Sequence, residues 1–145
     1  MHYENAVEPT QEQIAATIGE ASEGPIYMVN LLKYKEKAAY PDGRETNLTG
    51  REAYDLYGAG VVETLADVGG RVVWGGEVTG LLVGQVEDLW DDVAIAMYPS
   101  GAAMIQMFTS EKYQAIHVHR EAGLAGQLNI ATRIKGALAD LAQGA

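Results

Sequence analysis

The chain predicts an α+β sandwich: one antiparallel sheet with its helices on a single face. Three observations point there. Strand-like and helix-like periodicities alternate between residues 26 and 134. Two Ser/Thr-x-x-Glu/Gln signals mark helix starts. A chain of 145 residues, 48% apolar and without cysteine, has the size of one domain with a core that needs no covalent staples.

The first element is a helix opening at Thr10, where Thr10 and Gln13 form a capping box and Ile14 and Ile18 lie four apart. Gly24-Pro25 then breaks the chain, and residues 26–34 read as a buried strand. That strand carries Asn30 and Lys33 among apolar neighbours. Burying an amide without a partner costs roughly 1–3 kcal/mol, so Asn30 is either locally satisfied or part of a pocket. Residues 35–48 are polar and contain Pro41-Asp42-Gly43, which predicts an exposed loop. Thr49 and Glu52 form the second capping box. The helix they open, from about Gly50, shows an apolar face of Tyr54, Tyr57, Val61, Leu65 and Val68, and Gly69-Gly70 ends it. Gly58 and Gly60 inside this helix cost roughly 1 kcal/mol each and predict close approach to the sheet.

Residues 71–78 predict a second strand, 80–86 a short strand after a turn, and 92–98 another strand. Pro99-Ser100-Gly101 leads into a helix over 101–108. Ser110 caps a shorter helical piece through about His117, and a last strand covers about 126–134. The predicted organisation is an N-terminal helical extension over 1–24, a domain over 25–134 and a C-terminal tail over 135–145. Setting aside the first helix and the short insert leaves β-α-β-β-α-β, the ferredoxin-like order. Its strands alternate Val, Ile, Met and Trp, so the face without helices is expected to be apolar. A symmetric homodimer packing two sheets face to face is the simplest cover.

Formal charge of −10 argues against nucleic acid or anionic membrane as partners. The N-terminal residues lack a signal-peptide pattern, and no apolar run approaches the length of a membrane span, so a cytoplasmic protein is expected. The lack of cysteine excludes thiolate catalysis and cysteine-ligated metal. Neither a glycine-rich nucleotide fingerprint nor a Gly-x-Ser-x-Gly elbow is present.

The motifs Met28-Val-Asn-Leu-Leu-Lys33, Gly50-Arg-Glu-Ala-Tyr54, Gly70-Arg-Val-Val-Trp-Gly-Gly-Glu77, Tyr98-Pro-Ser100 and His119-Arg-Glu-Ala-Gly-Leu124 resemble those of the domain-of-unknown-function family DUF1330. The resemblance spans about residues 25–134. It implies a dimeric α/β barrel, built from two ferredoxin-like units, with a pocket between sheet and helices in each subunit. Relatives by that fold include antibiotic-biosynthesis-type monooxygenases, small isomerases and haem-degrading enzymes, so the resemblance implies no single reaction.

Within such a pocket, three residues are candidate catalytic groups. His119 would move a proton, Glu77 would act as a base if burial raised its pKa, and Tyr98 would donate its hydroxyl. Asn30, Arg120, Tyr54 and Trp74 are candidate substrate contacts: an amide to orient a carbonyl, a guanidinium fork for a carboxylate, and two aromatic walls that also read as packing. Arg51 reads as structural and Asp91-Asp92 as a solvated strand start. His117 and His119 could ligate a metal only with a third ligand, which Glu77, Asp91 or Asp92 could supply, but a helix-end role for His119 is the simpler reading and no metal or cofactor is expected. The leading expectation is a cofactor-independent monooxygenase- or isomerase-like enzyme acting on a small organic acid or aromatic. The alternatives are a non-catalytic small-molecule-binding or stress-associated protein, and a haem- or metal-binding barrel using His117 or His119.

Overall fold

The computed structural model describes residues 6–18 and 24–135. Its elements are α1 (Gln11–Ile18), β1 (Ile26–Tyr34), α2 (Gly50–Asp67), β2 (Arg71–Glu77), β3 (Asp92–Tyr98), α3 (Gly101–Phe108), α4 (Glu111–Gly123) and β4 (Leu124–Thr132). The sheet order is β2-β3-β1-β4, antiparallel throughout. This is the predicted ferredoxin-like arrangement, with the second helical layer divided between α3 and α4. Among the described residues no helix is long and apolar enough to cross a membrane.

Local chemistry sets the helix starts. Thr49 accepts from the Glu52 amide at 3.1 Å, and Glu52 Oε1 accepts from the Thr49 amide at 2.9 Å. Thr10 and Gln13 form the same reciprocal pair at 3.0 and 3.1 Å. Ser100 and Ser110 cap α3 and α4 through the amides of Ala103 and Tyr113. After α2, Gly69 takes a φ of +82°, a conformation that favours glycine.

One sheet face meets the helices. Ile26 and Met28 of β1 and Tyr98 of β3 pack with Tyr57 and Leu65 of α2, Met104 and Met107 of α3, and Tyr113 of α4. Cross-strand partners share a face. The register therefore places Val29, Leu31, Val93, Ile95, Trp74 and Ile130 together on the opposite face, which no helix among the described residues covers.

Four elements depart from expectation. The 35–48 segment is not a free loop: Ala38 and Tyr40 are buried against Ala53 and Ala122, and Ala39 N–H donates to Ala122 C=O at 3.0 Å. Residues 80–86 are not a strand but the tip of an irregular β2–β3 connection. The last helix runs on to Gly123, because the polar His117-Val-His-Arg stretch contains no breaker. The last strand consequently begins at Leu124 rather than 126. Gly60 approaches α4 rather than the sheet: a Cβ there would lie 2.8 Å from Ile116 Cγ2. The segment beyond residue 135 lies outside the described residues.

Candidate functional site

A cleft of about 380 Å³ opens between α2 and the β2–β3 edge of the sheet. The helix-facing side of β1 and β3 supplies its back wall, because Leu32, Asp92 and Glu77 are aligned across three strands. The first two turns of α2 supply Arg51, Tyr54 and Gly58. Gly58 and Gly75 keep the cleft open, since a Cβ at either would meet nothing within 4 Å.

Asp92 is the hub of its polar end. Arg51 Nη1 donates to both Asp92 carboxylate oxygens, at 2.9 and 2.8 Å. The Tyr34 hydroxyl donates to Asp92 Oδ2 at 2.7 Å. The Arg51 guanidinium also lies 4.7 Å above the Tyr34 ring centroid. Burial, then the hydrogen bond to Asp92, pushes the Tyr34 phenol well above its ordinary pKa. Tyr34 is therefore a held donor at neutral pH and not a base. The Asp92 bond holds the Arg51 pKa up as well. Neighbouring Asp91 is equally engaged, accepting from the Tyr34 amide at 2.9 Å. Asp91-Asp92 is thus a structural pair rather than a solvated strand start.

Glu77 stands directly opposite Asp92 in the register. Like charges placed so are unfavourable, and Arg51, which feels both, offsets them. Glu77 is exposed rather than buried and has no hydrogen-bond partner among the described residues. Tyr54 lines the cleft as expected. Its ring lies 5.4 Å from that of Tyr34 and 5.2 Å from that of Tyr57, and burial raises its pKa.

The remaining candidates sit elsewhere. His119 does not line the cleft. Its Nδ1 pairs with the Tyr40 hydroxyl at 2.7 Å, where it helps hold the 35–48 segment against α4. Burial, then the Arg44 charge, lowers its pKa. Tyr98 is a core residue packed edge-on against Phe108 and pushed up by burial. Trp74 lies on the uncovered sheet face, 54% exposed, with its ring folded over Gly76.

Arg120 and Asn30 belong to one buried polar chain. Arg120 Nη2 donates to Gln127 Oε1. Gln127 Nε2 donates to Asn30 Oδ1 at 2.7 Å, and Asn30 Nδ2 donates to the carbonyls of Met28 and Ala94 at 3.2 Å each. Arg120 therefore has its fork occupied inside the protein. Its charge partly offsets the burial-driven pKa rise of Tyr54, Tyr57, Tyr98 and Tyr113.

Among the described residues, Glu8, His117 and Glu121 are grouped closely enough to hold a metal ion. However, His117 Nε2 is 3.2 Å from Glu8 and Nδ1 is 2.8 Å from Glu121, so each ring nitrogen already faces a carboxylate. Arg120 also reaches Glu8, at 3.7 Å. The group works as a clasp between the N-terminal segment and α4.

Sequence reasoning missed Tyr34, Arg51, Asp92 and Gln127 as a set. The available signal was Asp92 opening a strand directly opposite Glu77, which calls for a cation, and Arg51 is the cation in the facing helix turn.

A family model described as "Domain of unknown function (DUF1330)" matches residues 44–134. Among solved structures, the methylated RPA0582 protein is 38% identical, with 92% of this chain and 97% of that chain covered and a TM-score of 0.79. The RPA0582 protein of unknown function from Rhodopseudomonas palustris is 36% identical, with 92% and 100% covered and a TM-score of 0.77. A putative antibiotic biosynthesis monooxygenase from Caulobacter crescentus CB15 is 13% identical over 79% of this chain and 92% of that chain, with a TM-score of 0.51, which is a likeness of fold alone. No curated protein matches the chain.

Proposed function

We propose, from the premise that this chain belongs to the DUF1330 family, a domain of unknown function, that it is a homodimer binding a small neutral or cationic aromatic molecule in the α2/β2–β3 cleft. One observation carries this reading. The cleft's charged lining is Asp55, Glu77 and Asp92 against the single guanidinium of Arg51, and Arg51 is already held by both oxygens of Asp92. Among the described residues the lining is net negative, which disfavours a substrate carboxylate. Of the two ligand classes expected from the sequence, this lining favours the aromatic over the organic acid. Tyr34 and Tyr54 supply aromatic surface to the cleft lining, with one face of Tyr34 already covered by the Arg51 guanidinium.

The chemistry that suits this lining is cofactor-independent proton transfer, as in an isomerase-like enzyme. Glu77, aligned with Asp92 on the sheet wall and without a side-chain hydrogen-bond partner among the described residues, is the proton acceptor in this reading by its position rather than by burial. Tyr34, Asp92 and Arg51 hold the wall against which the ligand is oriented. The partner copy is placed on the uncovered sheet face, whose apolar row needs cover.

Thermal unfolding against matched phenols, aromatic amines and aromatic carboxylates tests the binding reading. A ligand at a hundredfold excess over its Kd stabilises by roughly 2.7 kcal/mol. Amines or phenols are expected to raise Tm and the matching carboxylates are not. Gly58→Leu fills the cleft and is expected to erase the shift without loss of fold. Stabilisation by carboxylates alone, or a shift that survives Gly58→Leu, would show the reading to be wrong. With a bound ligand identified, Glu77→Gln separates catalysis from binding: turnover is expected to fall at least a hundredfold.

A further inference from the structure

The β2–β3 connection, residues 78–91, has a firmly held base and an apolar tip that touches nothing of consequence in its own protomer. At the base, Val78 N–H donates to Asp91 C=O at 2.9 Å, and Asp91 N–H donates to Leu32 C=O at 2.8 Å. Lys33 Nζ reaches both Asp88 Oδ1 and Leu89 C=O at 2.9 Å. At the tip, Leu82 is 99% and Val83 82% exposed, with Leu81 and Val86 exposed beside them. Gly80 and Gly84 flank this tip, and a Cβ at either would meet nothing within 4 Å. A segment rooted by two backbone bonds and a lysine bridge, yet ending in Leu-Leu-Val in open solvent, is built to be buried by something.

We infer that residues 80–86 form an intersubunit arm whose Leu81-Leu82-Val83 tip seats on a second copy of this chain. The inference rests on the homodimer proposed above and adds the part of the chain that completes it.

Area and charge favour a second copy as the occupant. A four-stranded face about 19 Å wide and about 23 Å long offers roughly 440 Å² in plan. A stable interface takes about 800 Å² from each partner. Plan area understates the accessible surface of such a face, and each exposed aliphatic side chain of the tip adds roughly 60–120 Å² of apolar surface that a second copy would bury. Six residues of chain separate Leu82 from the pinned Asp88, a reach of up to about 20 Å, comparable with the sheet width. The chain has 20 Asp and Glu residues and a charge of −10, which repels another copy over most of its surface. On the uncovered sheet face the paired positions include no Asp or Glu. That face, whose charged positions are the cations Lys33 and Arg71, and the uncharged 80–86 tip beside it are where a second copy of this acidic chain meets the least repulsion between carboxylates.

Sedimentation over a dilution series of the full chain tests the arm. Three proteins are compared: the natural chain, Leu82→Ser/Val83→Ser, and Ile95→Lys at the centre of the sheet face. The tip contacts too little of its own protomer for the double variant to unfold it, and its monomer Tm is expected to be unchanged. The expected result is a dimer for the natural chain, a dimer Kd weakened by roughly tenfold or more in the tip variant, and a monomer for Ile95→Lys. An unchanged Kd in the tip variant, with Ile95→Lys monomeric, overturns the arm and leaves the sheet-face dimer standing. A natural chain that stays monomeric at every concentration overturns both.

Discussion

Replacing Arg120 by Met tests whether the polar chain through the core is a unit. Arg120 is 9% exposed and Gln127 6% exposed, so neither can turn to water for a substitute partner. Methionine keeps most of the arginine stem's packing and removes the guanidinium. Gln127 Oε1 then loses its donor, and a buried acceptor left without one costs about 1–3 kcal/mol. Glu8 loses a partial contact at 3.7 Å but keeps His117 and is itself largely solvated, which adds little. The expected loss is about 2 kcal/mol. For a domain of this size that lowers Tm by roughly 4–8 °C. Urea unfolding at one fixed protein concentration measures it, with an unchanged m-value as the check that only stability has moved. The double variant Arg120→Met/Gln127→Met replaces both partners by apolar groups and is expected to recover about half of the loss or more. A neutral Arg120→Met would show that water satisfies Gln127. A double variant whose loss is the sum of the two single losses would show that the two residues do not act together.

Two further outcomes follow from the packing and the titrating groups. Gly123→Ala is expected to destabilise by about 3 kcal/mol, because its Cβ would sit 2.4 Å from Gly50 C=O and 2.9 Å from the Tyr54 amide, where only backbone could yield; a loss under about 1 kcal/mol by urea unfolding would refute that contact. His119 has its folded-state pKa lowered by burial and then by Arg44, so the unfolded chain takes up the proton first as pH falls. Its contribution is therefore fully present above the unfolded pKa of about 6.5 and is lost as pH drops through the folded value. Unfolding free energies at pH 5–8 for the natural chain and His119→Gln are expected to differ in slope below about 6.5, and parallel curves would refute the linkage.

Much of the fold was legible locally. The capping pairs Thr10/Gln13 and Thr49/Glu52 and the β1 span 26–34 match the structure, because caps and strand alternation act between residues close in sequence. The candidate site was less legible. Glu77 and Tyr54 were placed in the pocket region, but Tyr34 was read only as the end of a strand, Arg51 as structural and Asp92 as solvated. Their role depends on three strands and a helix turn converging, and a one-dimensional pattern does not encode which helix turn faces which strand end. His119 and Arg120 were candidate functional groups because histidine and arginine near a helix end carry no mark of the partner they meet.

By itself, the sequence determined the α+β class, the helix starts, the four strands of the sheet, its apolar helix-free face and the exclusion of thiol chemistry. All of these follow from composition and short-range periodicity. Only the tertiary structure decided which polar groups are already satisfied. It gave Arg120 to Gln127, His119 to Tyr40 and Arg51 to Asp92, and so left Glu77 and Asp55 as the cleft carboxylates without a side-chain partner among the described residues. The physical reason is that desolvation and hydrogen-bond pairing are properties of a neighbourhood, and a neighbourhood exists only once the chain has folded.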